Sequence, residues 1–315
     1  MTKLSIIIPC YNCKKTLSEA VDSCYVQGLA DNDFEIIMVD DCSSDETRQV
    51  MKSQAQKHSN ITLVFHEINK GGGAARNTAV ENSLSEVIFC LDSDDILPNN
   101  TLIKMYDYLK KKKCDGVGFH KSINFNGTDI NDISHIVTMS YVEQRVPFES
   151  LFQKAGVMCS IYQVFMFTKI AFYLAGKYPT AHSFDTQGFA WRFLAAGLHA
   201  EICPDTTYLL RVNFHESYYL REYQKGKTNL NWEYILLENI RFFNIKTQTF
   251  IRNFDYQDFT KNIIDELAKK NDILTSNFRE LQTPTHVGEL KLRRKKPISR
   301  NSIKGVYLRI KNKLK

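Results

Sequence analysis

The sequence predicts an α/β fold whose central sheet is mostly parallel and is flanked by helices. Over the first 120 of 315 residues, short apolar runs alternate with segments of helical spacing, and the connecting loops are short. This alternation is typical of strand–helix–strand units, which form parallel sheets. The runs are continuously apolar, as expected for strands that are covered on both faces. Polar loops follow most of the strands, at the sheet edge where such folds bind ligands.

Five strands and four helices are predicted in this part of the chain. The strands are Leu4–Ile8, Phe34–Val39, Ile61–Phe65, Glu86–Leu91 and Gly116–His120. The helices are Thr16–Gln27, Asp45–Gln56, Ala74–Leu84 and Asn99–Lys112. In the helices, apolar residues recur at three- and four-residue spacing, which predicts one buried face for each.

Beyond residue 120 the pattern loosens. The predicted elements are a loop or hairpin at 122–136, a strand within Cys159–Phe167, a helix at Thr186–Ala196, a strand at Thr206–Val212, and amphipathic helices at Asn229–Phe243 and Phe259–Ala268. No internal repeat and no Pro/Gly/Ser-rich linker divides the chain. We therefore expect one domain over residues 1–225, a helical extension over 226–290 and a separate tail over 291–315.

Charge distinguishes that tail from the rest of the chain. The whole sequence carries 41 Lys and Arg against 35 Asp and Glu, a formal charge of +6. Eleven of the bases lie in residues 291–315, which contain no acid, so the preceding part is mildly acidic. An acidic body argues against a protein that wraps nucleic acid. The tail has the pattern of a basic amphipathic helix and predicts contact with an anionic membrane surface; the alternative is a solvated, disordered tail.

Two further features bear on location. No apolar stretch approaches the length of a membrane-spanning helix, and the N-terminus has the pattern of a first strand rather than a signal peptide. The eight cysteines are scattered. Cys10 and Cys13 form a C-x-x-C pair, but neither a zinc-type second pair nor a redox-type helix start accompanies it. We therefore expect reduced thiols in a cytoplasmic protein that contacts the cytoplasmic face of a membrane.

An acidic cluster follows the fourth predicted strand directly. Asp92 and Asp94 are alternate residues of an extended segment, so their side chains can share one site, and Asp95 adds a third carboxylate. Oxygen ligands in small number suit magnesium or manganese completed by substrate phosphates. The alternative is a solvated acidic turn before the next helix.

Two other loops at the same edge have ligand-binding character. Gly71–Gly73 precedes a helix and would let backbone N–H groups approach a phosphate, although a tight turn would need the same glycines. Asp40 and Asp41 end the second strand, where an acid often binds a ribose or a base edge. The alternative for both acids is a favourable charge near the following helix N-terminus.

Together these loops resemble a known family. The segments SIIIPCYN (5–12), EIIMVDDCSSDET (35–47), NKGGGAARN (69–77) and FCLDSDD (89–95) occur in the order and spacing of inverting family 2 glycosyltransferases of GT-A fold. The resemblance implies metal-dependent transfer of a sugar from a nucleotide sugar, with a UDP-sugar as the expected donor, to a hydroxyl of a glycan or lipid-linked acceptor. It also implies manganese or magnesium as cofactor, a donor half at 1–120, an acceptor half at 121–225, and a role in surface-polysaccharide synthesis.

The resemblance also assigns residues. The nucleotide-sugar site would comprise Pro9, Tyr11, Asn12, Asp41, Gly72, Arg76, Asn77, Asp92, Ser93 and His215. Asp41 would bind uracil, Asp94 the metal, and Asp92 the metal or the ribose. His215, after the last predicted strand, would steady the diphosphate.

The base that deprotonates the acceptor is the least regular feature. Aligned on Phe189 and Arg192, Asp185 stands where the family has Glu, and Thr186 stands where the family usually has its Asp base. We assign Asp185 as the base; the alternative is that it merely caps its helix. Thr186 also leaves open a nucleotide-sugar-binding protein that has lost catalysis. A nucleotidyltransferase is disfavoured, because the loop after the first strand, PCYNCKK, is not glycine-rich.

Overall fold

The computed structural model describes residues 2–139, 142, 164–180, 184–212, 237, 240 and 245–253. The strands are β1 Leu4–Cys10, β2 Phe34–Asp40, β3 Ile61–Phe65, β4 Val87–Cys90, β5 Gly116–Asn126, β6 Ile133–Thr138, β7 Met166–Thr168 and β8 Ala200–Val212. The helices are α1 Leu17–Cys24, α2 Thr47–Lys57, α3 Gly72–Glu81, α4 Thr101–Lys112, α5 Lys169–Ala175, α6 Asp185–Ala195 and α7 Ile245–Asn253.

The strands form one mixed sheet in the order β3-β2-β1-β4-β7-β5-β6, with β8 paired to β5. Strands β1, β2, β3 and β4 are mutually parallel, and β8 is parallel to β5. Strand β7 runs antiparallel to both β4 and β5 and so joins the two parallel groups. The predicted mostly parallel α/β sheet is confirmed.

Each face of the sheet has its own apolar core. In β1, Ile6 and Ile8 pack with α1, α2 and α4, whereas Ile7 packs with α3, α5 and α6. All three isoleucines are fully buried. This two-sided burial explains why the strand sequences are continuously apolar.

The five N-terminal strands and four helices appear where they are predicted, with ends shifted by a few residues. Of the loop or hairpin predicted at 122–136, the structure shows the hairpin, formed by β6 and by the end of β5, which continues to Asn126 and so six residues past its predicted end at His120. Strand β8 starts at Ala200, six residues before its prediction, because its early residues pair with β5. Of the strand predicted within Cys159–Phe167, the structure describes residues 164–167, which include the start of β7. The helix predicted at Asn229–Phe243, apart from residues 237 and 240, the helix predicted at Phe259–Ala268 and the tail at 291–315 lie outside the described residues.

Two of the expectations on location can be compared with the structure. Within the described ranges, no helix is long and apolar enough to cross a membrane. The described cysteines, including Cys10 and Cys13, are free thiols.

Candidate active site

A buried arginine joins two of the predicted site carboxylates. Arg76, on α3, is 8% exposed. Its Nη2 lies 2.5 Å from Asp92 Oδ1 and its Nη1 lies 2.6 Å from Asp185 Oδ2. Burial opposes the charge of Arg76, but Asp185 and Asp92 outweigh it and hold the pKa of the guanidinium well above its usual value. The arginine is therefore a permanent cation between two acids that are far apart in sequence.

Glycines at the start of α3 allow this close approach. A Cβ on Gly73 would lie 1.9 Å from the carbonyl oxygen of Pro179. A Cβ on Gly72 would lie 2.7 Å from Arg76 Nη1 and 2.8 Å from Asp185 Oδ2. The helix can pack against the backbone of Pro179 only because Gly73 lacks a side chain. Gly72 leaves room for the side chains of Arg76 and Asp185. The predicted glycine loop is thus explained in part by packing.

The carboxylate of Asp41 supports the glycine loop from within the protein. It is 3% exposed and accepts hydrogen bonds from the backbone N–H groups of Lys70 (2.9 Å) and Gly71 (2.7 Å). His66 Nδ1 lies 2.7 Å from the same carboxylate, and His66 Nε2 lies 3.0 Å from Thr78 Oγ1. This geometry assigns Asp41 to holding the loop; its contact with a uracil stays a prediction.

Two asparagines tie the loops together. Asn12 has a positive φ of 51°, and its Oδ1 accepts from the backbone N–H of Ser44 (2.8 Å) and of Asp45 (3.3 Å). Asn77 exchanges two hydrogen bonds, of 3.0 and 2.9 Å, with the backbone of Tyr178. The side-chain amide of each asparagine thus bonds protein backbone.

The remaining residues of the predicted nucleotide pocket differ in exposure. Pro9 lies near the end of β1 and is half-buried, whereas the Tyr11 ring beyond it is 39% exposed. Ser93 is half-buried between Asp92 and Asp94. His215 lies outside the described residues.

The acidic cluster divides into open and buried carboxylates. Asp94 is open to solvent on one side, while the protein around its other sides and the charge of Asp92 raise its pKa to about 6. Asp95 is 3% exposed, and burial, with the charges of its two neighbours, raises its pKa well above the usual value. Asp95 accepts hydrogen bonds from Tyr208 Oη (2.6 Å) and from the backbone N–H of Arg211 (2.8 Å).

Asp185 and Thr186 stand side by side at the start of α6. Asp185 is 8% exposed, and its Oδ1 accepts from the backbone N–H of Thr186 at 2.9 Å. The hydroxyl of Thr186 donates to Gln187 Oε1. Asp185 thus satisfies the helix start with one oxygen and pairs with Arg76 through the other.

Several contributors were not predicted from the sequence. His66 supports Asp41, while Tyr208 and Arg211 of β8 support Asp95. None belongs to a local motif, because each acts through strand pairing between distant segments. The run of aromatic and β-branched residues around Tyr208 predicted a strand but not its neighbour in the sheet.

This chain is similar to proteins that are named as glycosyltransferases. Among curated relatives, the poly(ribitol-phosphate) beta-glucosyltransferase of Bacillus spizizenii is 36% identical over 127 residues, which is 40% of this chain and 20% of that protein. The UDP-Glc:alpha-D-GlcNAc-diphosphoundecaprenol beta-1,3-glucosyltransferase WfgD of Escherichia coli is 31% identical over 156 residues, 50% of this chain and 57% of that one. The matched region is thus about a fifth of the first relative and just over half of the second.

Solved structures support the fold. The crystal structure of S. aureus TarS 1-349 in complex with UDP-GlcNAc aligns with a TM-score of 0.56 at 16% identity, covering 88% of this chain and 92% of that one. The mannosyltransferase PcManGT from Pyrobaculum calidifontis, in complex with GDP-Man and Mn2+, aligns with a TM-score of 0.57 at 17% identity, covering 90% and 81%. These likenesses confirm the predicted GT-A fold.

The family assignment rests on a longer match. Residues 5–172, slightly more than half of the chain, match the family described as Glycosyl transferase family 2. This segment contains all four of the N-terminal motifs and the strands that end at the candidate site. The chain therefore belongs to glycosyl transferase family 2.

Proposed function

We propose that this protein is an inverting glycosyltransferase that moves a sugar from a nucleotide sugar to an acceptor hydroxyl. The observation that carries the proposal is the arrangement of Asp92, Arg76 and Asp185. A carboxylate of the acidic cluster and the candidate base contact the same guanidinium, at 2.5 and 2.6 Å. Donor activation and acceptor deprotonation would thus occur at one site, as a single displacement requires.

The donor would lie over the loops that follow β1, β2 and β4. The exposed ring of Tyr11 would lie near the nucleobase of the donor. The glycine loop, Gly71–Gly73, would let backbone approach the diphosphate. UDP is the favoured carrier because one structural neighbour is solved with UDP-GlcNAc and one relative is named for UDP-Glc. In this proposal, residues 1–120 bind the donor and residues 121–225 bind the acceptor.

A divalent cation fits the acidic cluster only with help from the donor. Among the residues that the structure describes, no group of three or more His, Cys, Asp or Glu side chains is arranged to hold a metal. Asp94 and Asp92 offer oxygen ligands that suit manganese or magnesium, and donor phosphate oxygens would complete the coordination. The bound ion would neutralise the leaving nucleoside diphosphate as a Lewis acid.

Asp185 is the proposed general base. Its carboxylate takes the proton of the acceptor hydroxyl, the oxygen attacks the anomeric carbon, and the bond to the diphosphate breaks with inversion. Arg76 holds one oxygen of this carboxylate toward the cluster. Thr186 has no proton-accepting group of comparable strength, which favours Asp185 over its neighbour.

The acceptor is proposed by class only. Relatives are named for poly(ribitol-phosphate) and for a diphosphoundecaprenol-linked sugar, which favours a surface polymer or its lipid-linked precursor. Such an acceptor lies at a membrane, so the basic segment 291–315 would hold the enzyme at the cytoplasmic face.

The test is UDP release from a panel of UDP-sugars with Mn2+ and an added glycan acceptor, with and without EDTA. We expect release to depend on Mn2+, to disappear in Asp94→Ala and to fall at least about 100-fold in Asp185→Asn. Asp107→Asn, an exposed acid on α4, is the matched control and should behave as the wild type. Donor binding without turnover would instead support a binding protein, and unchanged activity in Asp185→Asn would exclude it as the base.

A further inference from the structure

We propose that Tyr208 and Arg211 of β8 are positioning residues that hold the Asp92–Asp95 segment so that Asp94 faces the cation and the donor diphosphate. The inference rests on the proposed function. It assigns a task to a strand from the second half of the chain, far in sequence from the acidic cluster that it contacts.

The first part of the contact is a pair of hydrogen bonds to the carboxylate of Asp95. Both carboxylate oxygens of Asp95 are taken up by β8: Oδ2 by the Tyr208 hydroxyl at 2.6 Å and Oδ1 by the Arg211 backbone N–H at 2.8 Å. Tyr208 is fully buried and Asp95 is 3% exposed. A carboxylate buried in this way needs hydrogen-bond partners within the protein, so these two hydrogen bonds define where Asp95 lies.

The second part acts on Asp94 itself. Nε of Arg211 donates to the backbone oxygen of Asp94 at 2.7 Å. The guanidinium is held in turn by the Gly127 carbonyl, by Glu19 Oε2 and by the ring of Phe125, whose centroid is 4.8 Å away. The Arg211 side chain is 1% exposed. It is therefore a rigid support and not a surface charge.

A backbone bridge completes the attachment. Ile96 and Leu209 exchange two hydrogen bonds, of 3.1 and 3.2 Å, immediately after the cluster. On the other side, the backbone N–H of Asp95 donates to the carbonyl of Asp92 at 3.1 Å and closes a turn. Residues 92–96 are thus held at several points, and with them the backbone from which the Asp94 carboxylate extends.

Outer partners of metal-binding groups usually change metal affinity by 10- to 100-fold when removed. The consequence here is specific. Loss of the Tyr208 hydroxyl should reduce the gain in donor affinity that the cation provides. The affinity for the donor without the cation should stay unchanged.

The experiment is calorimetric titration of UDP into the 315-residue protein with Mn2+ and, separately, with EDTA. Tyr208→Phe removes one hydroxyl without changing the shape of the ring. We expect the Mn2+-dependent gain in UDP affinity to fall about tenfold, with the affinity in EDTA unchanged. Tyr25→Phe is the matched control, because its hydroxyl also bonds one side chain, Asn60 Oδ1 at 2.8 Å, and it should retain the whole gain.

A second variant, Arg211→Lys, keeps the charge beside Glu19 but loses the planar fork that reaches Asp94 and Gly127. A similar loss of the Mn2+-dependent gain is expected. If Arg211→Lys does not fold, Tyr208→Phe decides the question.

The results separate the two proposals. If Asp94→Ala abolishes the gain while Tyr208→Phe keeps it within twofold, the positioning role is overturned and the metal site stands. A loss of affinity that is equal in Mn2+ and EDTA would also overturn it, because general structural damage would explain it. If the wild type shows no Mn2+-dependent gain, the metal part of the proposed function fails, and the positioning role with it.

Discussion

Adding a methyl group at residue 73 should move Asp185, the proposed base, away from Arg76 on the donor side of the site. In Gly73→Ala, the new Cβ would lie 1.9 Å from the Pro179 carbonyl oxygen, 3.0 Å from its carbonyl carbon and 3.1 Å from Asp185 Cβ. Cβ atoms essentially never approach other heavy atoms within 3.0 Å, so the backbones must part by at least about 1.1 Å. The obstacle is main chain, which cannot rotate away as a side chain can.

We expect this movement to lengthen the ion pair between Arg76 and Asp185, which links the donor side of the site to the proposed base. Adding 1.1 Å to the 2.6 Å between Arg76 Nη1 and Asp185 Oδ2 takes the pair beyond hydrogen-bonding distance. A misplacement of about 1 Å in an active site costs about 100-fold in rate. Overpacking costs about 1–3 kcal/mol of stability, and the better helix propensity of Ala returns up to about 1 kcal/mol. Activity should therefore fall about 100-fold, while the free energy of unfolding falls by no more than about 3 kcal/mol.

The assay is UDP release at saturating donor, together with urea unfolding of the same preparations. Gly197→Ala is the control: it has φ of +74° and nothing within 4 Å, and it lies past the opposite end of α6. It should lose about 1 kcal/mol of stability through backbone strain and keep its activity. Turnover in Gly73→Ala within threefold of wild type, with an unchanged unfolding midpoint, would refute the packing argument.

Three further predictions concern charge. Arg76→Met should lower the free energy of unfolding by about 3 kcal/mol, because it leaves the carboxylates of Asp92 and Asp185 without their shared cation; a change below about 1 kcal/mol in urea denaturation would contradict this. With the pKa of Asp94 raised from 3.8 to about 6, Mn2+ must displace a proton below that pH. The Mn2+ concentration that half-saturates the site, measured by calorimetry, should fall as pH rises from 5 to 6.5 and then level off. The stability of the metal-free protein should change in the opposite sense. Between about pH 4 and 6 the native protein binds more protons at Asp94 than the unfolded chain does. The contribution of Asp94 to the free energy of unfolding therefore declines as pH rises through that window. Deletion after Leu290 should abolish sedimentation with anionic vesicles and leave UDP release intact; unchanged sedimentation would exclude the tail as the membrane contact.

The N-terminal fold was accessible from the sequence because its signals are local. A largely apolar run such as Phe34–Val39 predicts a strand covered on both faces, and each polar loop after a strand marks the ligand edge. For 122–136 the sequence left a loop and a hairpin open, and only the pairing of β5 with β6 decided for the hairpin. Strand β8 was predicted too short because Ala200–Asp205 is strand only through its pairing with β5, and strand pairing depends on distant residues.

The candidate site was predictable as a set of residues but not as a set of bonds. Asp92, Arg76 and Asp185 were each singled out, yet no spacing along the chain indicates that one guanidinium joins the two acids. Asp41 shows the same limit. Its place after β2 suggested a ligand contact, while the structure turns its carboxylate toward Lys70 and Gly71.

The sequence by itself determined the sheet, the family and the acidic cluster, and it indicated the sheet edge of the candidate site, since each depends on residue type at short spacing. Tertiary structure alone decided which groups meet: the guanidinium between Asp92 and Asp185, and the support of Asp95 by Tyr208. The physical reason is range. Periodicity and motifs report interactions within one element or one loop, whereas a buried charge or hydrogen bond takes its partner from whichever segment the packed sheet brings beside it.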